Sequence, residues 1–300
     1  MILLTGGTGF ISSVMRKQLE TLGIPYRLLI STEPKSEYIT PGERVNIAVS
    51  SPYDERGLRA AMKDVEIVFH TSGVEQIAAK DKKLENEFKE IELLAKVSRE
   101  TGINRFYYLS HIGADRASAF GIMKAKGIAE HTVINSGLNY TILRTGLVYG
   151  EGDAFTQNIV RLIRKFPLKI FVPGDGKILT QPIWVDDLVT SMIWSLDLPE
   201  TLNRVIEIGG PEHLTFTDIV ETISNAIQKN PKTIGITPSN LAILTQLMQG
   251  LSKDFPMNKL WLEYLAENRV TSLDSMPRHF GINPARFAQQ LDYLKKEKKR

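Results

Sequence analysis

Short apolar runs alternate with stretches of helical periodicity along the first 145 residues. In the helical stretches apolar residues recur every three or four positions, as from Leu84 to Ser98, where charged residues occupy the other face. Strands that alternate with helices form a parallel sheet covered by helices on both faces. The pattern therefore predicts an α/β fold with a doubly wound parallel sheet. The predicted strands are Ile2–Thr5, Tyr26–Ile30, Val45–Val49, Val65–His70, Arg105–Ser110 and Tyr140–Arg144.

The rhythm of the chain changes after Arg144. Two turn-rich segments lead to a helical stripe over Val185–Leu196 and an isolated strand over Val205–Ile208, and the chain from Thr217 onward has a mainly helical pattern. We therefore expect a smaller, mainly helical C-terminal substrate lobe, with a ligand cleft between the lobes outside the carboxyl ends of the strands. The expected domains are residues 1–145, with 181–207 returning to them, and the lobe of residues 146–180 and 208–300.

A glycine-rich turn, TGGTGFIS at residues 5–12, joins the first predicted strand to a helical pattern. Gly6 suits the tight turn, and Gly9 lets phosphate oxygens approach the helix N-terminus, where N–H groups and the helix dipole attract anions. Ser12 stands where a third small residue is usual, so we expect the helix to lie slightly farther from the strand. This order of strand, turn and helix predicts a bound dinucleotide. The expected contacts are Gly6, Thr8, Gly9, Phe10 and Ile11.

Further motifs follow in a consistent order over about residues 1–220. They are YLSHIGA at 108–114, SGLNYTILR at 136–144, QPIWVDD at 181–187 and IGGPEHLTF at 208–216. Together with TGGTGFI, which looks like the motif TGxxGxxG, they resemble the atypical and extended short-chain dehydrogenase/reductases. The resemblance extends especially to the NmrA-like group and to the accessory subunit of respiratory complex I. It implies a Rossmann-type domain that binds NAD(P).

Catalysis in this family normally uses Tyr-x-x-x-Lys. The tyrosine transfers a proton, and the lysine holds the nicotinamide ribose and lowers the pKa of the tyrosine. In this chain the spacing to Glu130 favours Lys126 as the family lysine, which places Ile122 in the tyrosine position. Taking Lys124 instead places Phe120 there. Neither choice supplies a phenol, so the resemblance leaves Lys126 to bind the ribose or to donate the proton.

The family's catalytic hydroxyl usually lies two residues past Ser110, where this chain has Ile112. Ser110 or His111 would have to replace it. His111 has a side chain that titrates near neutrality, and it either packs at the strand end, donates a proton or contacts the substrate. The candidate catalytic residues are therefore Lys126, His111 and Ser110.

Three functions agree with the resemblance. The first is an NAD(P)H-dependent reductase of a small lipophilic carbonyl, enone or quinone that lacks the usual tyrosine. The second is a non-catalytic NAD(P)-sensing regulator or scaffold with a protein partner. The third is a sugar-nucleotide epimerase or dehydratase, and the missing tyrosine argues against it because that chemistry needs a base at the sugar hydroxyl. We expect the first function and keep the other two as alternatives.

The residues after the second predicted strand bear on the choice between NADP and NAD. An NAD site usually places Asp or Glu about 20 residues after the glycines. Here Ser31 and Thr32 follow the strand and can bond a 2′-phosphate, and Lys35 could add positive charge. These residues favour NADP, whereas Glu33 would favour NAD if the loop brought it to the ribose.

The fourth predicted strand ends at the same sheet edge as the glycine turn. By the resemblance, the residues that follow it lie against the adenosine ribose and the nicotinamide side. The candidates are Thr71, Ser72 and Gly73. His70, at the strand end, is expected to be a buried histidine rather than a ligand.

Composition excludes several classes of protein. The chain has no cysteine, and its histidines lack ligand spacing, so we expect no metal site. No apolar run reaches the roughly 20 residues of a membrane span, and the first strand leaves no room for a leader, so we expect a cytoplasmic protein. The net charge of +3 comes from the tail at 295–300, which has five bases and one acid. No motif that binds the groove of a nucleic acid accompanies this tail, so we expect no nucleic-acid partner.

The stretch Leu241–Tyr264 is rich in leucine, methionine and aromatic residues. It predicts either a helical core or an apolar wall or lid over a hydrophobic ligand. The second interpretation predicts a small apolar substrate.

Overall fold

The computed structural model describes residues 1–6, 9–31, 46–71, 84–252 and 255–295. These residues divide into two compact units. The described parts of 1–74, 81–144 and 192–206 form the first unit, and those of 145–191 and 207–300 form the second. Each unit has its own hydrophobic interior.

Strands and helices alternate through the first unit as the apolar pattern predicts. In the described residues of both units the strands are β1 (Ile2–Thr5), β2 (Tyr26–Ile30), β3 (Asn46–Val49), β4 (Ile67–His70), β5 (Arg105–His111), β6 (Tyr140–Thr145), β7 (Val148–Tyr149), β8 (Lys169–Pro173), β9 (Leu179–Thr180), β10 (Ile183–Trp184), β11 (Arg204–Ile208), β12 (Leu214–Thr215) and β13 (Lys232–Ile236). The helices are α1 (Phe10–Thr21), α2 (Glu55–Ala61), α3 (Leu84–Glu100), α4 (Gly121–Asn135), α5 (Ala154–Lys165), α6 (Val185–Trp194), α7 (Phe216–Ala226), α8 (Pro238–Leu251), α9 (Lys259–Tyr264) and α10 (Ser275–Phe280). All six predicted strands of the first 145 residues are confirmed, with ends that differ by at most two residues.

Seven strands form one sheet in the order β11-β6-β5-β4-β1-β2-β3. The strand β1 pairs in parallel with β2 on one side and with β4 on the other, and Leu4 lies opposite both Leu28 and Phe69. The chain runs outward from β1 to β3 and then crosses back to β4, so the strand order reverses at β1. This is the order of a Rossmann fold, and it confirms the predicted α/β class.

The core of the first unit lies between the sheet and the helices α2, α3 and α4. Val68 and Phe106 of the sheet pack in one cluster with Leu58, Ile91 and Val133 of these helices, and all five are fully buried. The apolar stripe of each helix therefore faces the sheet, as its spacing predicts.

The second unit contains a parallel pair of strands, β8 and β13, with Lys169 opposite Lys232. The chain after Thr217 is mainly helical, as predicted, but the strand β13 was not predicted. The segment at 232–236 has only two isoleucines among a lysine, a threonine and a glycine, so it does not stand out as an apolar run, and the pairing with β8 stabilises the strand. Within the described ranges, no helix combines the length and hydrophobicity that crossing a membrane requires.

Candidate functional site

The carboxyl ends of β1 and β4 meet at the point where the strand order reverses. Thr5 ends β1 and lies opposite His70, which ends β4. Ligands of doubly wound sheets bind outside the strand ends at such a switch point, because the connections on either side leave in opposite directions and open a crevice. The residues that follow these two strands are therefore the first candidates for a binding site.

The glycine turn leads from β1 into the open N-terminus of α1. Gly6 has a φ of 76°, a left-handed conformation that glycine adopts without steric cost. Gly9 occupies the N-cap position, where no side chain caps the helix and no acidic residue stands in the first turn. The side chains of Phe10 and Ile11 are buried in the core. These two predicted contacts therefore have only backbone N–H groups to offer an anion.

Ser12, in the slot of the third small residue, hydrogen-bonds across to the end of β4. Its Oγ lies 2.7 Å from Oγ1 of Thr71, and Thr71 donates in turn to the carbonyl oxygen of Thr5 at 3.2 Å. Both side chains are buried. The serine thus uses its extra atoms to join α1 to both strands, a contact that the sequence analysis did not predict. A hydroxyl in place of a small residue was the only sequence signal for it.

His70 is fully buried at the end of β4, as expected. Its Nδ1 shares a hydrogen bond of 2.6 Å with Oγ1 of Thr5, and its ring stacks on Tyr108 with the centroids 5.8 Å apart. Burial, together with the nearby positive charge of Lys126, lowers the pKa of His70 to about 3. The imidazole is therefore neutral at physiological pH.

Lys126 of α4 is fully buried at the end of β5. Its Nζ donates a hydrogen bond of 3.2 Å to the carbonyl oxygen of Leu109 and lies 4.8 Å from the centroid of the Tyr108 ring. Lys124, the other lysine that the family spacing allowed, is exposed. Of the two lysines, Lys126 is therefore the one that α4 places against the strand.

Two features of α4 hold it in the position that brings Lys126 to β5. At Gly127 the helix approaches the preceding loop so closely that a Cβ would lie 2.4 Å from the backbone nitrogen of Arg116. One turn from Lys126, Glu130 accepts hydrogen bonds of 2.9 and 2.7 Å from Nε and Nη2 of Arg144 in β6. A glycine contact and a paired carboxylate thus fix the helix against the sheet.

The strand β5 supplies the other two candidate catalytic residues. Ser110 is fully buried, and within the described part of the chain its hydroxyl has no hydrogen-bond partner. His111 is 2% exposed and ends the strand. Ile122 is buried in the slot of the family tyrosine, so the position holds an aliphatic side chain.

Several predicted cofactor contacts lie outside the described residues. Ser31 is exposed just after β2, and Thr71 is buried just after β4. The remaining predicted contacts, which fall in the gaps of the described ranges, are Thr8, Thr32, Lys35, Ser72 and Gly73. Among the described residues, no group of three or more histidine, aspartate or glutamate side chains could hold a metal ion.

This fold and site define a nucleotide-binding α/β protein with a phosphate cradle at a switch point. A family model described as NAD(P)H-binding matches residues 6–163, which is more than half of the chain. The chain therefore belongs to this NAD(P)H-binding family. The match confirms the resemblance to atypical short-chain dehydrogenase/reductases that the motifs indicated.

Three curated proteins illustrate the relationship. Subunit 9 of the mitochondrial NADH dehydrogenase [ubiquinone] 1 alpha subcomplex of Arabidopsis thaliana is 25% identical over 85% of this chain. The chain spans only 63% of that relative's length. An NAD(P)H azoreductase of Xenophilus azovorans is 24% identical over 96% of both chains. Phenylcoumaran benzylic ether reductase TP7 of Nicotiana tabacum is 24% identical over 95% of this chain and 90% of its own.

Solved structures share the fold over nearly the whole length of the chain. An NADPH-dependent quinone oxidoreductase of Escherichia coli, complexed with NADPH, has a TM-score of 0.74 at 17% identity, covering 98% of this chain and 99% of its own. A UDP-glucose 4-epimerase of Thermus thermophilus, complexed with NAD, has a TM-score of 0.71 at 19% identity, covering 97% and 96%. At these identities the likeness shows the fold alone.

Proposed function

We propose that the protein is an NAD(P)H-dependent reductase of small lipophilic carbonyls, enones or quinones that works without a catalytic tyrosine. The observation that carries the proposal is the fully buried ammonium of Lys126 at the end of β5, close along the strand to the buried hydroxyl of Ser110. Burial of a cation and of an unsatisfied hydroxyl costs stability. Such groups concentrate at functional sites, where a ligand makes use of them.

The cradle fits the cofactor of this family. Gly6 and Gly9 leave the N-terminus of α1 uncapped by side chains, which suits a pyrophosphate held by backbone N–H groups. The nicotinamide, when bound, supplies a hydride. Reduction of a carbonyl or quinone oxygen also consumes one proton, and in this proposal Nζ of Lys126 provides it. The Ser110 hydroxyl donates a hydrogen bond to the same oxygen and orients the substrate.

We infer a preference for NADPH over NADH from the residues after β2. Ser31 is exposed at this strand end, where a hydroxyl can bond a 2′-phosphate. Thr32 and Lys35 follow it in the sequence and would add a second hydroxyl and a positive charge. Titration of the protein with each nucleotide tests the preference. Tighter binding of NADPH supports it, and equal binding of the two contradicts it.

A second candidate function is a non-catalytic sensor of the nucleotide. Ile122 favours it, because the buried aliphatic side chain in the tyrosine slot cannot transfer a proton. The similarity to a subunit of NADH dehydrogenase also supports a role within an assembly. A sensor binds the nucleotide tightly, and the bound nucleotide is not consumed.

The two candidates are separated by one set of assays. The protein is saturated with NADPH and mixed in turn with quinones, enones, aldehydes and azo compounds, while nucleotide absorbance is followed. The reductase oxidises NADPH with at least one class of acceptor. Tight binding without oxidation for every acceptor favours the sensor and contradicts the reductase.

A further inference from the structure

The second unit contains an apolar pocket between α5, β8 and α8, with a cavity volume of about 90 Å³. We propose that this pocket binds an amphipathic carboxylate, with the alkyl chain against the apolar walls and the carboxylate held by both Thr245 and Lys169. The residues that line it include Leu162, Phe166, Leu244, Thr245, Met248 and Phe255. The proposal concerns the second unit alone and stands whether or not the protein is a reductase.

The pocket walls are almost entirely apolar. Leu162 is buried on the inner side of α5, and Phe166 follows at the end of that helix, where its ring meets Phe255 edge-on with the centroids 6.4 Å apart. The helix α8 adds Leu244 and Met248, one turn apart, from a sequence that contains no charged residue. Aliphatic and aromatic side chains of this kind favour an alkyl chain over a sugar or a nucleotide.

One buried polar atom interrupts this apolar lining. Thr245 lines the pocket and is 3% exposed, and its Oγ1 has no hydrogen-bond partner among the described residues. An unsatisfied buried hydroxyl costs free energy unless something bonds to it. An oxygen atom of a bound ligand would satisfy it, so Thr245 points to an occupant that carries oxygen as well as an apolar body.

Positive charge lies at the rim of the pocket. Lys169 is exposed and is the one charged residue among the described residues that line it. Lys165, in the last turn of α5, places its Nζ 5.6 Å from the centroid of the Phe255 ring. Within the described ranges neither lysine forms an ion pair with a carboxylate. Two such lysines beside an apolar pocket complement an anionic head group.

An alkyl carboxylate matches all three features, because it combines a chain, oxygen atoms and one negative charge. The hydrophobic contribution predicts that affinity rises with chain length, by up to about fourfold per added methylene, until the pocket is filled. A neutral alcohol of the same chain would lose the contact with Lys169. A quaternary ammonium of the same chain would be repelled.

The test is calorimetric titration of the full chain with hexanoate, octanoate, decanoate, decanol and decyltrimethylammonium. We expect saturable one-to-one binding of decanoate, weaker binding of the shorter acids and of decanol, and the weakest binding of decyltrimethylammonium. No saturable binding of decanoate overturns the proposal. Equal binding of decanoate and decyltrimethylammonium also overturns it, because the pocket would then not recognise the charge.

Variants locate the ligand in this pocket. Lys169→Glu should weaken decanoate binding about fivefold or more, whereas Lys229→Glu, the same charge change at an exposed lysine outside the lining, should leave it unchanged. Leu244→Trp fills the pocket and should weaken binding more than tenfold, with Met248→Trp as a second filling variant if the first does not fold. Unchanged binding in Lys169→Glu, or in a folded filling variant, places the ligand elsewhere and overturns the proposal.

Discussion

The hydroxyls of Ser12 in α1 and of Thr71, the residue that follows β4, share a hydrogen bond of 2.7 Å. Thr71 donates in turn to the backbone oxygen of Thr5, so three consecutive groups join the cradle helix to the two strands at the switch point. The family motif prefers a smaller residue than serine at this position. Here the serine contributes a contact that glycine could not make.

We expect Ser12→Ala to lower the free energy of unfolding by about 1 kcal/mol, because it removes one buried hydrogen bond. Urea unfolding measures the change, and the slope of the free energy of unfolding against urea concentration should stay the same. Ser13→Ala is the matched control, because the Ser13 hydroxyl donates within its own helix, to the carbonyl oxygen of Phe10. Equal stability of Ser12→Ala and the parent would show that the bond contributes nothing.

Because the buried imidazole of His70 is neutral, we expect the stability of the folded protein to fall in acid. The pKa of His70 is lowered to about 3, so below the usual histidine pKa of about 6.5 the unfolded chain binds a proton that the folded chain does not. Stability therefore falls as the pH drops from about 6.5 toward 3. Between pH 6 and 4.5 we expect this histidine to account for a loss of about 2 kcal/mol.

Denaturant unfolding of the parent and of His70→Asn at a series of pH values measures that loss. The variant has no titrating group at this position, so its stability should fall less steeply with acid. His131→Asn, at an exposed histidine, is the control and should follow the parent. Parallel curves for the parent and His70→Asn would contradict the account of a neutral buried imidazole.

We expect the ion pair of Glu130 and Arg144 to contribute more to the free energy of unfolding than ion pairs on the surface do. Glu130 is 4% exposed and Arg144 26%, and two hydrogen bonds join them. We expect Glu130→Gln to lower the free energy of unfolding by about 2 kcal/mol, since it leaves the partly buried guanidinium of Arg144 without its carboxylate partner. Thermal and urea unfolding measure the loss. Glu55→Gln removes exposed pairs with Arg59 and Lys96, and there we expect a smaller loss, of at most about 1 kcal/mol.

We expect the hydroxyl of Tyr293 to stabilise the second unit. It hydrogen-bonds to Asp153 at 3.0 Å and to Thr156 at 2.9 Å, and Asp153 is the buried N-cap of α5. Tyr293→Phe should therefore cost about 1 kcal/mol, which calorimetric or urea unfolding can measure. Tyr26→Phe alters an exposed hydrogen bond to Glu20 and should cost less. A larger loss in Tyr26→Phe would contradict the role assigned to Tyr293.

Apolar patterning predicted the sheet well, because the strands of a parallel sheet are buried on both faces and stand out as short apolar runs. The turn at Gly6 and Gly9 could also be predicted from local sequence, because a tight turn and a close approach of phosphate to the backbone favour glycine at these positions. The strand β13 could not be predicted in this way. Its pairing with β8 joins residues about 60 positions apart, and its own five residues contain no clear signal.

The site was predicted less completely than the fold. The family spacing favoured Lys126 over Lys124, and the structure buries the first and exposes the second. The contact between Ser12 and Thr71 depends on where α1 lies over β4, which no local pattern encodes. The stacking of His70 on Tyr108 likewise depends on the pairing of β4 with β5.

We propose that Lys126 takes part in reduction, in addition to any role in holding the nucleotide. The most direct test compares the parent with Lys126→Met, both saturated with NADPH, by measuring kcat for the best quinone, enone or aldehyde acceptor beside the Kd for NADPH. We predict that the parent turns over and that the variant loses at least about 100-fold in kcat, with its Kd changed by less than about fivefold. Undiminished turnover in a folded Lys126→Met variant, or no turnover in the parent despite tight NADPH binding, would contradict the claim.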